Sequence, residues 1–174
     1  MFYYLSIGTN ITPELNAVSI TSALCQNFGV VIGFPFIYTE PVGIESEHRF
    51  LNSLAVIESA KELGDIKQMT NSIETSLGRD RTALDCSLVD RVADIDIVTC
   101  SDKLDFSLFL SSRESYVSSL LTVDKSRYVD LTQYGLPPTN GPTAINFNAR
   151  SGNIMILEQE SHGLKDRHIT TFER

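Results

Sequence analysis

The chain has 174 residues, 42% of them hydrophobic, and carries 14 basic against 22 acidic side chains for a formal net charge of -8. That length supports one domain with a sizeable core and is too short for two ordinary ones. The negative balance argues against a nucleic-acid partner, while an anionic small molecule needs only a local basic site. Three cysteines, Cys25, Cys86 and Cys100, are odd in number and lack a Cys-x-x-Cys pair, so neither a disulfide framework nor a structural zinc site is indicated. Met1-Phe2-Tyr3-Tyr4 opens into a strand-like run without a basic n-region, and no apolar stretch has membrane-spanning length, so a soluble cytoplasmic protein is the expectation.

In chain order, Phe2 to Ile7 reads as a strand closed by Gly8-Thr9-Asn10, where Thr9 or Asn10 can cap the next element. Pro13 suits a first helical turn, and Leu15, Val18, Ala23, Leu24 and Phe28 set an apolar stripe from Glu14 to Phe28, ended by Asn27 and Gly29. Val30 to Tyr38 is a second strand, demoted by Gly33 and Pro35 to an edge or bulged one. Thr39 to Arg49 is a loop, expected to be mobile. Phe50 to Glu58 is apolar on both faces, as a central strand requires. A helix comes next, from Lys61 to Leu77, with Leu63, Ile66, Met69 or Thr70, Ile73 and Leu77 facing inward and Asn71, Glu74 and Gly78 on another flank. A loop from Gly78 leads to Arg91.

The next run, Arg91-Val92-Ala93-Asp94-Ile95-Asp96-Ile97-Val98, organises the chain. Strand alternation sends Asp94 and Asp96 to one side and Ile95 and Ile97 to the other. Two carboxylates one pleat apart repel each other, so a cation belongs near them. Such hard oxygen pairs suit Mg²⁺, which takes one or two carboxylates together with substrate phosphate oxygens. A half-exposed structural strand alternates in the same way.

The order β-α-β-β-α-β predicts an α+β, ferredoxin-like sandwich: an antiparallel sheet with both helices on one face and the other face left for a ligand. Beyond Thr99, Leu108 to Leu110 and Tyr116 to Val123 fit helix or strand. Pro137 to Pro142 is a break, and Ile145 to Phe147 and Ile154 to Leu157 are short strands joined by a turn at Ser151-Gly152-Asn153. Ser161 to Arg174 reads as a frayed tail. The whole chain is taken as one domain, with a core over residues 1–121 and an extension of unread role over 122–174.

Five motifs in order carry a family resemblance: Gly8-Thr9-Asn10; Thr39-Glu40-Pro41-Val42-Gly43; Phe50-Leu51-Asn52; Ile73-Glu74 with Leu77-Gly78-Arg79-Asp80-Arg81; and Arg91 before Asp94-Ile95-Asp96-Ile97. Together they resemble the 6-hydroxymethyl-7,8-dihydropterin pyrophosphokinases of folate biosynthesis. The resemblance implies transfer of pyrophosphate from ATP to the hydroxymethyl group of a reduced pterin, releasing AMP. It implies that Asp94 and Asp96 hold two Mg²⁺ ions, that Arg79 and Arg91 face the phosphates, and that Arg81 closes over ATP. It places Asn71, Glu74 and Ile97 at the nucleotide and Thr39, Pro41, Val42, Phe50 and Asn52 at the pterin, with Phe50 stacking and Asn52 bonding the ring's amide-like edge. The family's Pro-x-His segment has no counterpart in Leu108 to Leu121, which holds neither His nor Pro, and for the Arg and the aromatic that follow it in the family Arg113 and Tyr116 are the candidates. ATP and a reduced pterin are the expected partners of a monomer. The competing readings are a homologue that binds nucleotide or pterin without turnover, and a metal-dependent phosphoesterase.

Overall fold

A computed structural model describes residues 1–41, 46–80 and 89–157. The expectations for Val42, for Arg81, for Cys86 and for a tail from Ser161 fall outside the described residues.

Strand β1 (Phe2–Thr9) is buried along nearly its whole length because it lies between two others: β4 (Phe50–Glu58) on one side and β5 (Asp94–Ser101) on the other, both antiparallel. The expected second strand is split into β2 (Val31–Gly33) and β3 (Ile37–Thr39), which pair successive parts of β4, the break falling around Pro35. The order β5-β1-β4-β2 is that of an antiparallel βαββαβ sandwich, and β4 is central as its two apolar faces require. The sequence after residue 122 then adds a hairpin, β6 (Thr143–Asn148) and β7 (Asn153–Ile156), whose first strand pairs with β2. Gly152, at φ 72°, makes its turn. The segment whose role the sequence leaves open thus supplies two strands of the sheet.

Helices α1 (Pro13–Phe28) and α2 (Leu63–Ser76) cover one face. Ala17, Ile20, Leu24 and Cys25 of α1 and Ile66 and Ile73 of α2 pack there on Tyr3, Leu5, Ile7, Leu51, Ala55, Ile57 and Ile95. Two expectations need correction. Leu15 and Leu63, counted into the inward stripes, are 56% and 50% exposed. The buried stripes keep the expected Leu24, Ile66, Ile73 and, of the two alternatives, Thr70, and add Ala17, Ile20, Thr21 and Cys25 in α1 and Glu74 in α2. The other sheet face is partly roofed: Tyr4, Leu54 and Val56 meet Phe109 of a 3₁₀ segment (Phe106–Ser111) and Val117 and Leu120 of α3 (Ser115–Thr122). No described helix is long and apolar enough to cross a membrane.

Candidate active site

The open half of the roofed face is a cleft of about 730 Å³. At its β5 side stand Asp94 and Asp96, opposite Gly8 and Ser6 of β1 and pointing the same way, as alternation predicts. The required counter-charges are present. Asp94, 17% exposed, takes the Arg79 guanidinium on one oxygen and the Arg91 guanidinium on the other. Asp96 takes the Lys67 ammonium at 3.0 Å. Lys67 escapes the sequence reading because the helix supplying it precedes the strand by a whole loop.

Arg79 is itself held from behind. Its guanidinium donates to the carbonyl of Ala93 at 3.1 Å and pairs with Glu74 at 3.1 Å, and Glu74 also accepts the Ile95 amide N–H at 2.6 Å. Burial works against the Arg79 charge, but Asp94, Glu74 and Asp96 outweigh it and hold its pKa above the ordinary value. Glu74 is 0% exposed. Expected at the nucleotide, it is buried beneath the cleft and is joined to it through Arg79 and the β5 backbone. Asn71, half-buried one turn earlier, also lies outside the cleft wall; its side-chain oxygen is buried with no hydrogen-bond partner among the described residues.

Asn10 does not cap α1, whose N-cap is Thr12. It fixes Arg91 instead: its Oδ1 accepts the Arg91 N–H at 2.7 Å, its backbone N–H donates to the Arg91 carbonyl at 3.1 Å, and its Nδ2 donates to Asp90 at 2.6 Å. Asp90 further accepts from Ser46 at 2.5 Å and lies 2.6 Å from His48 Nδ1, so the loop before β4 is tied to the loop before β5. Those bonds from Ser46, His48 and Asn10 hold the Asp90 carboxyl below its ordinary value.

Across the cleft, Phe50 and Asn52 of β4 stand beside Thr39 of β3, and Asn52 donates to the Thr39 hydroxyl at 2.7 Å. Gly8 makes room for that amide, since a Cβ there would lie 2.5 Å from Asn52 Oδ1. Tyr116 reaches in from α3 and donates to Ser6 at 3.2 Å, its phenol pushed up by burial. The structure therefore brings Thr39, Phe50, Asn52, Arg91, Asp94, Asp96, Ile97, Arg113 and Tyr116 to one cleft. Asn71, Glu74, Arg79 and Pro41 are not part of its wall.

Among the described residues no third His, Cys, Asp or Glu joins the pair to form a metal-binding group. A divalent ion held by Asp94 and Asp96 would complete its shell with phosphate oxygens and water, so the donor set fits an ion that arrives with a nucleotide.

The sequence model of the 7,8-dihydro-6-hydroxymethylpterin-pyrophosphokinase family matches residues 4–132. The chain belongs to that family. The family match spans the sandwich core and every cleft residue named above, and ends before the β6–β7 hairpin. Proteins named 2-amino-4-hydroxy-6-hydroxymethyldihydropteridine pyrophosphokinase from two strains of Porphyromonas gingivalis are each 35% identical to it over 97 residues, 55% of this chain. The similarity covers 66% of those relatives, just under two thirds of their length.

Proposed function

We propose that the protein transfers a pyrophosphoryl group from ATP to the hydroxymethyl oxygen of 6-hydroxymethyl-7,8-dihydropterin, releasing AMP, as a step of folate biosynthesis. The pterin oxygen bonds to the β-phosphorus, the bond from that phosphorus to the oxygen bridging the α-phosphorus breaks, and the hydroxyl proton is released. The observation that carries this reading is the division of one cleft into two chemistries. A carboxylate pair backed by three cations lies on the β5 side, and an aromatic-plus-amide pocket lies on the β4 side.

Transfers of this class pass through loose transition states, so the protein's share is positioning and charge neutralisation. Asp94 and Asp96 would hold Mg²⁺, which when bound neutralises charge on the triphosphate. Arg91, fixed by Asn10, and Arg79, fixed by Glu74, present guanidinium groups to the phosphates; Asn71, with its unpartnered oxygen, Ile97, Arg81 and Arg113 complete the nucleotide's surroundings. Phe50 and Tyr116 offer flat faces to the pterin, and Asn52 exchanges its bond to Thr39 for the ring's polar edge, Pro41 and Val42 being the further positions assigned to the pterin. The whole chain acts as one domain, a cytoplasmic monomer without nucleic-acid or membrane partners.

A second reading, binding without turnover, is favoured by one observation: His48 is the only histidine among the described residues, and it is not one of the cleft residues. One assay separates the two. AMP formed from ATP and Mg²⁺ only when dihydropterin is added supports transfer. Saturable dihydropterin binding without AMP supports the second reading and overturns the first.

A further inference from the structure

The two carboxylates of the cleft are neutralised in different ways. Both oxygens of Asp94 are held by guanidinium groups, and Arg79 cannot swing away without breaking its ion pair with the buried Glu74. Asp96 is held by one flexible amine. Lys67, on α2, reaches the outer edge of the sheet at β5, where its Nζ lies 3.0 Å from Oδ1 of Asp96 and 3.5 Å from the carbonyl oxygen of Ile95. The two side chains are 41% and 55% exposed, and ion pairs so open to water are weak and exchangeable. Of the three cations paired with these carboxylates, Lys67 is 41% exposed against 10% for Arg79 and 16% for Arg91, so the lysine is the most movable.

We propose that Lys67 is the resident counter-ion of Asp96, standing where a divalent cation binds and yielding that carboxylate when metal and nucleotide arrive. The inference rests on the assignment of Asp96 as a metal-holding carboxylate and deepens it. A divalent ion on this carboxylate pair repels every cation already there, and the exposed, single-contact ammonium of Lys67 is the one most easily displaced, whereas the guanidinium groups on Asp94 are largely buried. The polyphosphate that comes with the metal carries the larger negative charge, and the long lysine stem lets Nζ turn to it without moving the helix. Lys67 is thereby a positioning residue with two opposed effects: it competes with bare metal and assists the nucleotide.

The test uses the full chain, with binding of Mn²⁺ alone followed by electron paramagnetic resonance and binding of ATP in excess chelator followed by calorimetry. Lys67→Met should bind Mn²⁺ roughly two- to fivefold more tightly, the range that loss of an exposed ion pair gives, and should bind metal-free ATP more weakly. Lys67→Arg, which keeps the charge, should restore both values towards wild type. A merely structural lysine would not move the two affinities in opposite directions. Asp96→Asn distinguishes failure of the metal assignment from failure of the lysine's role. If it binds Mn²⁺ as well as wild type, Asp96 is not a metal ligand and the proposal falls with that assignment. If Asp96→Asn loses Mn²⁺ while Lys67→Met leaves Mn²⁺ affinity unchanged or weaker, the metal assignment stands and the role given to Lys67 is overturned.

Discussion

Replacing Glu74 by Gln tests whether this carboxylate serves the fold rather than the nucleotide. Its carboxylate is completely buried, accepts the Ile95 N–H at 2.6 Å and pairs with Arg79 at 3.1 Å. Glutamine keeps the volume and the acceptor for Ile95, but it removes the charge opposite Arg79. Removing one partner of a buried ion pair costs about 3–5 kcal/mol. Arg79 retains Asp94 and the Ala93 carbonyl as partners, which puts the cost near the lower end, about 3 kcal/mol. At about 2–4 °C per kcal/mol for a domain of this size, the melting temperature without ligands should fall by about 6–12 °C. Circular dichroism melts of wild type and variant measure it. A side chain whose task is to touch ATP would leave the unliganded melt nearly unchanged, and a drop of less than about 2 °C would refute the buried-anchor reasoning.

Asp96→Asn should change unliganded stability by no more than about 1 kcal/mol, since relief of repulsion from Asp94 is offset by loss of the exposed Lys67 pair. The same variant should lose most of the melting-temperature increase that Mg²⁺ with ATP gives the wild type; an increase of wild-type size would contradict the metal assignment. Gly8→Ala drives a Cβ to within 2.5 Å of Asn52 Oδ1, the movable end of a side chain, so Asn52 should swing away from Thr39. A modest stability cost of about 1–3 kcal/mol should accompany a clear loss of dihydropterin affinity by calorimetry, and unchanged affinity would exclude Asn52 from the pocket. For Asp90 the pKa is depressed in the folded state, so its contribution is present above the unfolded value of 3.8 and is lost as pH falls through the folded one. The stability gap between wild type and Asp90→Asn at pH 7 should therefore begin to narrow below about pH 4 and go on narrowing as the pH falls further, and a gap unchanged all the way down would refute the tie between the two loops.

How much of the fold and site is legible in the sequence depends on how side chains signal burial. The two apolar faces of Phe50 to Glu58 and the alternation around Asp94 and Asp96 mark a central strand and a two-carboxylate face, and both are found. Helix faces are less readable where the buried positions are small or polar: Ala17 and Thr21 signal burial more weakly than a leucine, so Leu15 and Leu63 take a place in the stripe they do not hold. Glu74 is hidden by its chemistry, because a charged residue on a helix reads as surface until its partners, Arg79 and the Ile95 amide, are brought together by β5. Lys67 and the contacts joining Asn10, Ser46, His48 and Asp90 depend on side chains tens of residues apart, which local pattern does not encode.

In the function proposed above, one cleft joins a phosphate site to a pterin site and transfers between them. The most direct measurement of that transfer is chromatographic quantification of AMP from ATP with wild type and Asp96→Asn, in mixtures lacking in turn Mg²⁺, dihydropterin or protein. The wild type should give AMP and a pyrophosphorylated pterin in equal amounts only when all components are present, and Asp96→Asn should give strongly reduced amounts of both. AMP or phosphate released without dihydropterin, or no AMP from the complete mixture, would contradict it.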